Sequence, residues 1–519
     1  MSNTIHLASA LMGSGKTQSM INGIESDDCI IVAAPKKELC REIFKSFKSQ
    51  RQDLDVDLVN SDTVCSGSTV LCEAIDAINK VNTDTEYAES FGMSGSVGKV
   101  LILTQATLVN LPPDILRGQS WTLILDEVPD IKASAYMFIF KDQFERNFSD
   151  HVYMVDTKTG RLELKDGMEF DAKDQLSKAK ATDFSHAVLM FEGLIHETSE
   201  VSLEPKSNGR QVLKSVGYHD FSPVFRAAKE VHVMGNAIEK SLFYLFLKAK
   251  GFRFDESKFT PKFDGYKMSP RLVPLLSGDR FSKTMMLTRE KDGSKSDTFD
   301  TSTVGWQMLK RAIEYHEGKP LLVHIYKWMK PFFKANTYPN VVVVDLDSRG
   351  LNQHRHLNRT VHMIHGNAAP VDSQMNKRML ELMGVDVQEG LQALRHERLV
   401  EKISQTMLRT DMRNLDEQKY QTVSVIPTMG LVGAVRDNLK IDCEVDTSIM
   451  IDPPEPSEKS QPSHKQQAER QANREASEAR RMKAVKLLKE GHTISAVSRA
   501  VPADRKTIRK WWAQEVQAA

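Results

Sequence analysis

The eight residues from Ala10 to Thr17 constrain the fold most, because they place a glycine-rich turn between an apolar stretch and a stretch that can form a helix. Residues 4–11 are mostly apolar, which predicts a buried strand, and residues 18–23 can begin a helix. In such a turn the backbone N–H groups converge on one spot, and the helix N-terminus adds partial positive charge. The sequence therefore predicts a phosphate-binding loop formed by Gly13, Ser14, Gly15, Lys16 and Thr17.

Two side chains of this loop have distinct expected roles. Lys16 would reach the β- and γ-phosphates of a nucleotide, and the Thr17 hydroxyl would ligate Mg²⁺. The alternative is an incidental glycine turn, which the strand–loop–helix context disfavours.

Two adjacent carboxylates follow another apolar run. Residues 29–34, 99–104 and 121–125 are largely apolar and of strand length, which is typical of strands buried on both faces of a parallel sheet. The last run delivers Asp126 and Glu127 to its C-terminal end, the edge where ligands bind in doubly wound sheets. Asp126 could hold Mg²⁺ through water, and Glu127 could orient an attacking water. The alternative is a solvated pair at a strand end.

The length and composition of the chain restrict which class of protein it can be. A chain of 519 residues has room for about three or four domains. Its five cysteines are an odd number and form no C-x-x-C pair, which argues against a disulfide framework and suits a reducing cytoplasm. There is no apolar run of membrane-spanning length, so we expect a soluble cytoplasmic protein without a membrane partner.

The pattern changes between the carboxylate pair and the next core strand, which is expected at 230–234. Residues 152–155, 161–164 and 168–170 are predicted as short strands separated by Thr-Gly and Asp-Gly turns. They predict a β-rich subdomain, about 141–224, inserted into a first domain that spans 1–265. Residues 54–59 and 68–71 are predicted as short strands of that first domain.

A second α/β domain is predicted over 266–452. In it, Gln405, Arg409 and Arg413 recur every four residues within a helix expected from about 399 to 412, so they would share one helix face. The planar guanidinium fork matches phosphate oxygens, which favours a role in nucleotide binding. The alternative is a surface face with ordinary salt bridges.

The C-terminal part divides into a linker and a compact unit. Residues 453–480 are rich in Pro, Gln and charged residues and predict a flexible linker. Residues 481–519 predict three short helices in a helix-turn-helix arrangement, with Ile508 and Trp511 in its core. The exposed face would carry the DNA-contacting residues Arg505, Lys506, Thr507, Arg509 and Lys510. The alternative is a small three-helix domain that binds a protein partner.

Several of these motifs together resemble those of superfamily 2 helicases. The phosphate loop, residues 34–39, residues 104–107 and the Asp126–Glu127 pair are similar to motifs I, Ia, Ib/Ic and II, in the family's order and spacing. Residues 348–352 resemble motif V, and the Gln405–Arg413 pattern resembles motif VI. The chain departs from the family at Pro129, and it carries Asn236 within the segment where the family usually has Ser-Ala-Thr.

The resemblance implies two tandem RecA-like domains with ATP and Mg²⁺ in the cleft between them. It implies arginine fingers at Arg409 and Arg413, with Gln405 beside them, and a nucleotide contact at Gly350. It also implies contacts with a nucleic-acid backbone, from Pro35, Lys36, Lys37, Thr104, Gln105 and Arg349. The tail is similar to resolvase-, transposase- and homeodomain-like DNA-binding units.

The sequence therefore predicts an α/β chain of two RecA-like domains plus a small all-α helix-turn-helix domain. We expect an ATP-dependent DNA helicase or translocase of phage or mobile-element replication, with a single strand on the motor and duplex on the tail. Replication proteins are expected partners, and the host cytoplasm is the expected location. The alternatives are a DNA-packaging or transposition ATPase, and a DNA-binding regulator that uses nucleotide as a switch.

Overall fold

Parallel strands build two of the three sheets, and the strands of an antiparallel sheet lie between them in the sequence. The computed structural model describes residues 3–11, 13–65, 67–90, 98–116, 121–157, 159–205, 210–263, 265–344, 346, 354–414, 417–453, 478–501, 503, 507–509 and 511–512. Within those ranges the strands are β1 (Thr4–Ser9), β2 (Cys29–Ala34), β3 (Val56–Leu58), β4 (Lys99–Thr104), β5 (Trp121–Asp126), β6 (Ala135–Phe140), β7 (Val152–Asp156), β8 (Arg161–Leu164), β9 (Ser199–Pro205), β10 (Arg210–Gly217), β11 (Glu230–Gly235), β12 (Arg253–Glu256), β13 (Arg271–Leu276), β14 (Leu321–Ile325), β15 (Val341–Val344), β16 (Arg359–Met363), β17 (Val423–Thr428) and β18 (Glu444–Val445).

The helices over the same ranges are α1 (Lys16–Gly23), α2 (Lys37–Gln50), α3 (Val70–Ser90), α4 (Gln105–Leu108), α5 (Lys141–Phe148), α6 (Glu169–Ala181), α7 (Ser185–Ile195), α8 (Ser222–Ala227), α9 (Leu242–Ala249), α10 (Lys283–Met286), α11 (Val304–Glu314), α12 (Pro331–Ala335), α13 (Pro370–Met383), α14 (Val387–His396), α15 (Lys402–Met407), α16 (Leu431–Leu439), α17 (residues 478–489) and α18 (Ile494–Ala500). A π-helical segment covers Glu397–Glu401, and 3₁₀ turns cover Pro113–Leu116, Ile238–Lys240, Lys327–Met329 and Asp411–Arg413. The chain divides into two compact units, Met1–Lys283 with Trp306–Pro453, and Thr284–Gly305 with Pro454–Ala519.

The first sheet brings the predicted loop and the carboxylate pair to the same edge. Its strand order is β12-β1-β11-β5-β2-β4-β3, and every neighbouring pair is parallel. Strand β1 leads into the glycine turn and β5 ends at Asp126, with β11 between them. Because parallel strands share their C-terminal edge, these two sequence-distant motifs meet there.

Apolar side chains cover both faces of this sheet. On one face Ile31 packs in a cluster with Ile78 of α3, and on the other Ile30 packs with Phe47 of α2. All six residues of β2 are buried, as expected for a strand with helices on both sides.

Two short strand predictions are wrong, because helices begin at those positions. Residues 68–71 run into α3, which buries Ala74, Ile78 and Val81 along one face. Residues 168–170 run into α6, whose first turn carries two acidic residues that suit a helix N-terminus.

The antiparallel sheet forms the inserted subdomain, with the strand order β6-β10-β9-β8-β7. Its strands run from Ala135 to Gly217, so the sheet begins a few residues before the predicted 141. The strands predicted at 152–155 and 161–164 are confirmed. The subdomain also contains α5, α6 and α7, and its core includes the buried rings of Phe148 and Phe191.

The second parallel sheet has the order β15-β14-β16-β17-β13-β18. The predicted α/β class, with two parallel sheets in tandem, is confirmed. Buried histidines occur on two adjacent strands, where the rings of His324 and His362 meet edge to face.

A helical hairpin, α13 with α14, leaves the second sheet and packs against the first domain. Met379 and Leu380 of α13 are fully buried in one hydrophobic cluster with Phe243 and Phe246 of α9. At its edge Arg378 donates to both oxygens of Glu200 in the inserted subdomain, at 2.6 and 2.8 Å. The two domains are therefore joined by an apolar contact as well as by the chain.

The C-terminal unit has its own small core. Ala484, Val497, Val501 and Ile508 are buried together, and Trp511 packs against them. Gly491, with φ at +86°, follows the turn that ends α17, and the Thr493 hydroxyl caps α18 by accepting from the N–H of Ala496.

Of the tail residues predicted to contact DNA, Thr507 is half-buried and Arg509 is exposed. Arg505, Lys506 and Lys510 lie outside the described residues. No helix over the described ranges is both long enough and apolar enough to cross a membrane.

We predict that the second domain loses stability as the pH falls from 6.5 towards 4. Burial lowers the pKa of His316 to about 4 and holds the pKa of His362 well below its ordinary value of 6.5. Because the folded-state pKa is the lower one, the unfolded state binds more protons in this window, and stability is lost as the pH drops. For His316 alone the loss at pH 5 is on the order of 2 kcal/mol.

Urea unfolding at pH 7 and pH 5 measures this loss. The variant His316→Gln should lose less unfolding free energy between the two pH values than the wild type. The exposed His356, changed to Gln, is the matched control and should keep the wild-type loss. Equal losses in all three proteins would contradict the assignment.

Candidate active site between the two parallel sheets

The glycine turn has the backbone geometry of an anion-binding loop. Gly13 and Gly15 have φ of +80° and +84°, a left-handed region that other residues rarely adopt. The Ser14 hydroxyl is buried and has no hydrogen-bond partner among the described residues. A Cβ at Gly15 would meet no described atom within 4 Å, so there is room beside the turn. Converging N–H groups, an unpaired hydroxyl and open space fit a phosphate chain.

The Lys16 ammonium is held at the mouth of this turn. It donates to the carbonyl oxygens of Ala10 and Leu11, at 2.7 and 2.9 Å. Burial lowers the pKa of Lys16 to about 8, although the carboxylates of Asp126, Glu127 and Glu401 act in the opposite direction. A cation held by weak neutral acceptors among carboxylates is well placed to bind an incoming phosphate.

Asp126 lies next to Thr17, as the predicted Mg²⁺ site requires. The Thr17 hydroxyl donates to Asp126 Oδ2 at 3.3 Å, and the Asp126 side chain is 4% exposed. Burial, reinforced by Glu127, raises the pKa of Asp126 to about 6, while Lys16 and the Thr17 hydroxyl partly offset this rise. A buried carboxylate beside a hydroxyl offers the hard oxygen ligands that Mg²⁺ takes.

Glu127 occupies a strained turn directly after β5. Its φ is +84°, which is uncommon for a residue with a side chain and costs on the order of 1–3 kcal/mol. Its N–H donates to the Met234 carbonyl at 3.0 Å, and its own carbonyl accepts from Gln105 Nε2 at 2.8 Å. Strand β11 and helix α4 therefore hold this backbone by one hydrogen bond each, which keeps the strained conformation in place.

The residues expected to contact a nucleic-acid backbone lie at the C-terminal ends of β2 and β4. Pro35 and Lys36 directly follow β2, and Lys37 begins α2. The Lys37 ammonium is 3.2 Å from a carboxylate oxygen of Asp62. Their contact with nucleic acid stays a prediction.

Thr104 and Gln105 have structural partners in this state. The Thr104 hydroxyl caps α4 by accepting from the N–H of Thr107 at 3.2 Å. Gln105 is 6% exposed, and its amide holds the Glu127 turn. Gln105 therefore supports the carboxylate site, and its nucleic-acid contact stays a prediction. Arg349 and Gly350 lie outside the described residues.

The prediction that a single helix carries Gln405, Arg409 and Arg413 is wrong. Helix α15 ends at Met407, and Arg413 lies in the separate 3₁₀ turn that begins at Asp411. The Asp411 carboxylate accepts from the backbone N–H groups of Lys419 and Tyr420, at 2.8 and 2.9 Å. These hydrogen bonds compete with helix continuation, so the face-sharing argument fails.

Arg413 nevertheless lies against the phosphate loop. A Cβ at Gly13 would be 3.2 Å from Arg413 Cγ, so the arginine packs on the turn itself. Burial, together with Arg409 and Arg355 nearby, lowers the pKa of Arg413 to about 10. Arg409 is 7% exposed. Of the two predicted fingers, Arg413 is the one that the structure brings to Gly13.

A cavity of about 250 Å³ lies between the domains, and Lys16, Glu127 and Gln405 are among its lining residues. Asn236 and Glu401 also line it, and sequence reasoning missed both as site residues. Glu401 ends the π-helical segment, and such segments frequently occur at functional sites. The sequence signal was the departure at Asn236, because an amide there can hydrogen-bond across the cleft.

No family model and no curated protein sequence matches this chain. Among solved structures, the chain is similar to S. tokodaii Xpd4, with a TM-score of 0.46 and 10% identity over 86% of this chain and 96% of that one. It is also similar to S. cerevisiae Dbp5 bound to RNA and ADP BeF3, with a TM-score of 0.34 and 10% identity over 86% of this chain and 85% of that one. For a DEAD box protein from the hyperthermophile Methanococcus jannaschii the TM-score is 0.26, with 11% identity over 86% of this chain and 89% of that one. The chemistry of the site is therefore inferred from its own residues.

We predict that Gly13→Ala weakens nucleotide binding more than its loss of stability explains. The added methyl group meets both an unfavourable φ and Arg413 Cγ at 3.2 Å. Gly384→Ala is the matched control, because Gly384 has φ at +73° with no described atom near its Cβ position. Both variants should lose about 1 kcal/mol of unfolding free energy. Titration with a fluorescent ATP analogue should show weakened binding for Gly13→Ala alone; equal affinities in the two variants would contradict the loop assignment.

Proposed function

We propose that this chain is an ATP-dependent helicase or translocase of superfamily 2 that moves along DNA. The observation that carries the proposal is the packing of Arg413, from the second domain, on Gly13 of the phosphate loop in the first. A nucleotide bound at that loop would lie between the two domains. Its hydrolysis could then change how they contact each other, which is the requirement for a motor.

The first domain supplies the groups that hold the nucleotide. The N–H groups of the turn at Gly13 and Gly15 would bind phosphate oxygens, and Lys16 would leave its two carbonyl partners to neutralise their charge. Thr17 and Asp126 would hold Mg²⁺, which when bound supplies charge neutralisation at the β- and γ-phosphates.

Glu127 and Arg413 would act on the transferred phosphoryl group. The Glu127 carboxylate lines the cavity next to Lys16, where an attacking water can be oriented. Arg413 would stabilise the charge that develops on the γ-phosphate, with Arg409 as the other candidate finger.

The track would run along the C-terminal edge of the first sheet. Pro35, Lys36, Lys37 and Thr104 all lie at this edge, on the side where the nucleotide loop also ends. We propose a single DNA strand as the track, and duplex DNA as the partner of the tail. Eight Lys and Arg against three Asp and Glu after residue 481 support DNA over a protein partner for the tail. A role in phage or mobile-element replication, with replication proteins as partners, follows from joining such a motor to such a tail.

Lys16→Ala and Arg413→Ala should each abolish or strongly reduce ATP hydrolysis. Lys16 supplies the charge that holds the phosphates, and an arginine finger is worth about 10³ or more in rate. Steady-state phosphate release with single-stranded DNA present measures both. Arg436→Ala, at an exposed position of the second domain, is the control and should retain wild-type turnover.

Strand displacement from 3′- and 5′-tailed duplexes, with and without ATP, tests the motor itself. Displacement that requires ATP and Lys16 would support a helicase, and the productive tail would give its polarity. Lys16-dependent hydrolysis without displacement or translocation would instead favour the nucleotide-switched regulator. Hydrolysis that survives Lys16→Ala would reject the loop assignment.

Substitution of the basic tail residues should separate site recognition from the motor. In the full chain, Arg505, Lys506, Arg509 and Lys510 would be changed together to Ala. Affinity for a preferred duplex, selected from a random pool with the wild type, should fall towards that for random duplexes. The ATPase stimulation by single-stranded DNA should be unchanged, and its loss would show that the tail belongs to the motor.

A further inference from the structure

Glu401 is the centre of a hydrogen-bond network that joins the two domains. Its carboxylate accepts from three side-chain amides: Asn236 Nδ2 at 3.2 Å, Asn438 Nδ2 at 3.0 Å and Gln405 Nε2 at 3.1 Å. Asn236 follows β11 of the first domain, whereas Gln405 and Asn438 belong to the second. Asn438 is fully buried and also donates to the Ser404 hydroxyl at 2.9 Å.

The two carboxylate oxygens of Glu401 have different partners. Oε2 accepts from both asparagines, and Oε1 accepts from Gln405. An ionised carboxylate can only accept hydrogen bonds, so each amide must turn its nitrogen towards Glu401. The amide oxygens then point elsewhere, and their direction follows from the charge on Glu401.

Two of these amide oxygens lack a partner. Gln405 Oε1 and Asn236 Oδ1 are buried and accept no hydrogen bond from any described residue. The side chains are only 7% and 9% exposed, and both residues line the cavity that also contains Lys16 and Glu127. A buried unpaired acceptor costs about 1–3 kcal/mol, so a donor that reached either oxygen would stabilise the site.

We propose that Glu401 is a positioning residue for hydrolysis, which binds the nitrogen of the Gln405 amide and so leaves its oxygen to accept from an attacking water that reaches it. The inference rests on the proposed ATPase function. One hydrogen of the water would be held by Gln405 Oε1, and the other would pass to the Glu127 carboxylate. The water oxygen bonds to the γ-phosphorus as the bond to the bridging oxygen breaks, and ADP leaves with that electron pair.

The alternative is that Glu401 has a purely structural role. A second interdomain carboxylate in the same segment provides a control for that alternative. Glu397 Oε1 accepts from the backbone N–H of Leu242 in the first domain at 2.8 Å. An amide oxygen at position 397 can accept the same bond. Glu397→Gln is therefore a matched control, which changes an interdomain carboxylate without redirecting Gln405.

Glu401→Gln should reverse the Gln405 amide. The new side chain would place its oxygen where Asn236 and Asn438 donate, so its nitrogen would face the nitrogen of Gln405. Gln405 must then turn and present a donor to the cavity. We expect kcat to fall about tenfold or more, as for loss of a group that orients the reacting water, with the KM for ATP within about twofold.

Exchange of the side chains at positions 401 and 405 distinguishes a role in orienting the Gln405 amide from a role in holding the domains together. Gln405→Glu alone places two carboxylates within hydrogen-bonding distance and should cost more activity than Glu401→Gln. In the double variant Glu401→Gln/Gln405→Glu, an amide again donates to a carboxylate, and that carboxylate keeps an acceptor oxygen on the cavity. Its kcat should exceed that of either single variant, by about tenfold over Gln405→Glu.

Thermal unfolding of the nucleotide-free proteins supplies a readout that does not depend on turnover. Gln405→Glu should lower Tm, and the double variant should recover most of the loss. If Tm recovers while kcat stays at the level of the slower single variant, Glu401 only joins the domains and the proposal is wrong. A tenfold lower kcat in Glu397→Gln would also overturn it. If the wild type shows no Lys16-dependent hydrolysis, the ATPase proposal itself fails. The Tm values of the exchange variants do not depend on hydrolysis, so they still test the hydrogen bond between positions 401 and 405.

Discussion

The site depends on the turn at Glu127, where β5 leaves the sheet with a left-handed backbone. Three neighbours fix this turn: the Met234 carbonyl accepts its N–H, Gln105 donates to its carbonyl, and Thr17 donates to the preceding Asp126. These groups belong to β11, α4 and α1, which meet at the same sheet edge. The strain of a positive φ is thus offset by hydrogen bonds that only the assembled sheet can provide.

The second domain reaches this edge by two kinds of contact with different energetic character. The α13–α14 hairpin buries Met379 and Leu380 fully against the first domain, at about 1.5–3 kcal/mol for each side chain. At the glycine turn, Leu11 is buried in a hydrophobic cluster with Leu399 and Ile403 of the second domain, while Asn236 donates to the Glu401 carboxylate. The second domain is therefore held at this edge by apolar as well as polar contacts.

The sequence predicts those parts of the site whose structure is set locally. The bounds of β2 and the end of β5 follow from the lengths of apolar runs, and the loop follows from glycine spacing. Spacing alone predicts Arg413 on a helix face, because it cannot reveal that Asp411 accepts from the N–H groups of Lys419 and Tyr420, which follow it in the next loop. Side-chain hydrogen bonds beyond the helix itself decide where such a helix ends, and residue spacing does not encode them.

Sequence spacing also does not reveal Glu401, whose carboxylate acts on Lys16 of the glycine turn and accepts from Asn236 across the domain contact. Its charge acts on Lys16, as do the charges of Asp126 and Glu127, so one ammonium interacts with three carboxylates. A phosphate at the loop would compete for that ammonium, and Arg413 is the cation best placed to compensate. Nucleotide binding would therefore make the positive charge of Arg413 near Gly13 more favourable. It would also weaken the attraction between Lys16 and the Glu401 carboxylate. The contacts at Arg413 and Glu401 would thus respond in opposite directions to the same ligand, and such an opposition is what a ligand-driven change in domain contact requires.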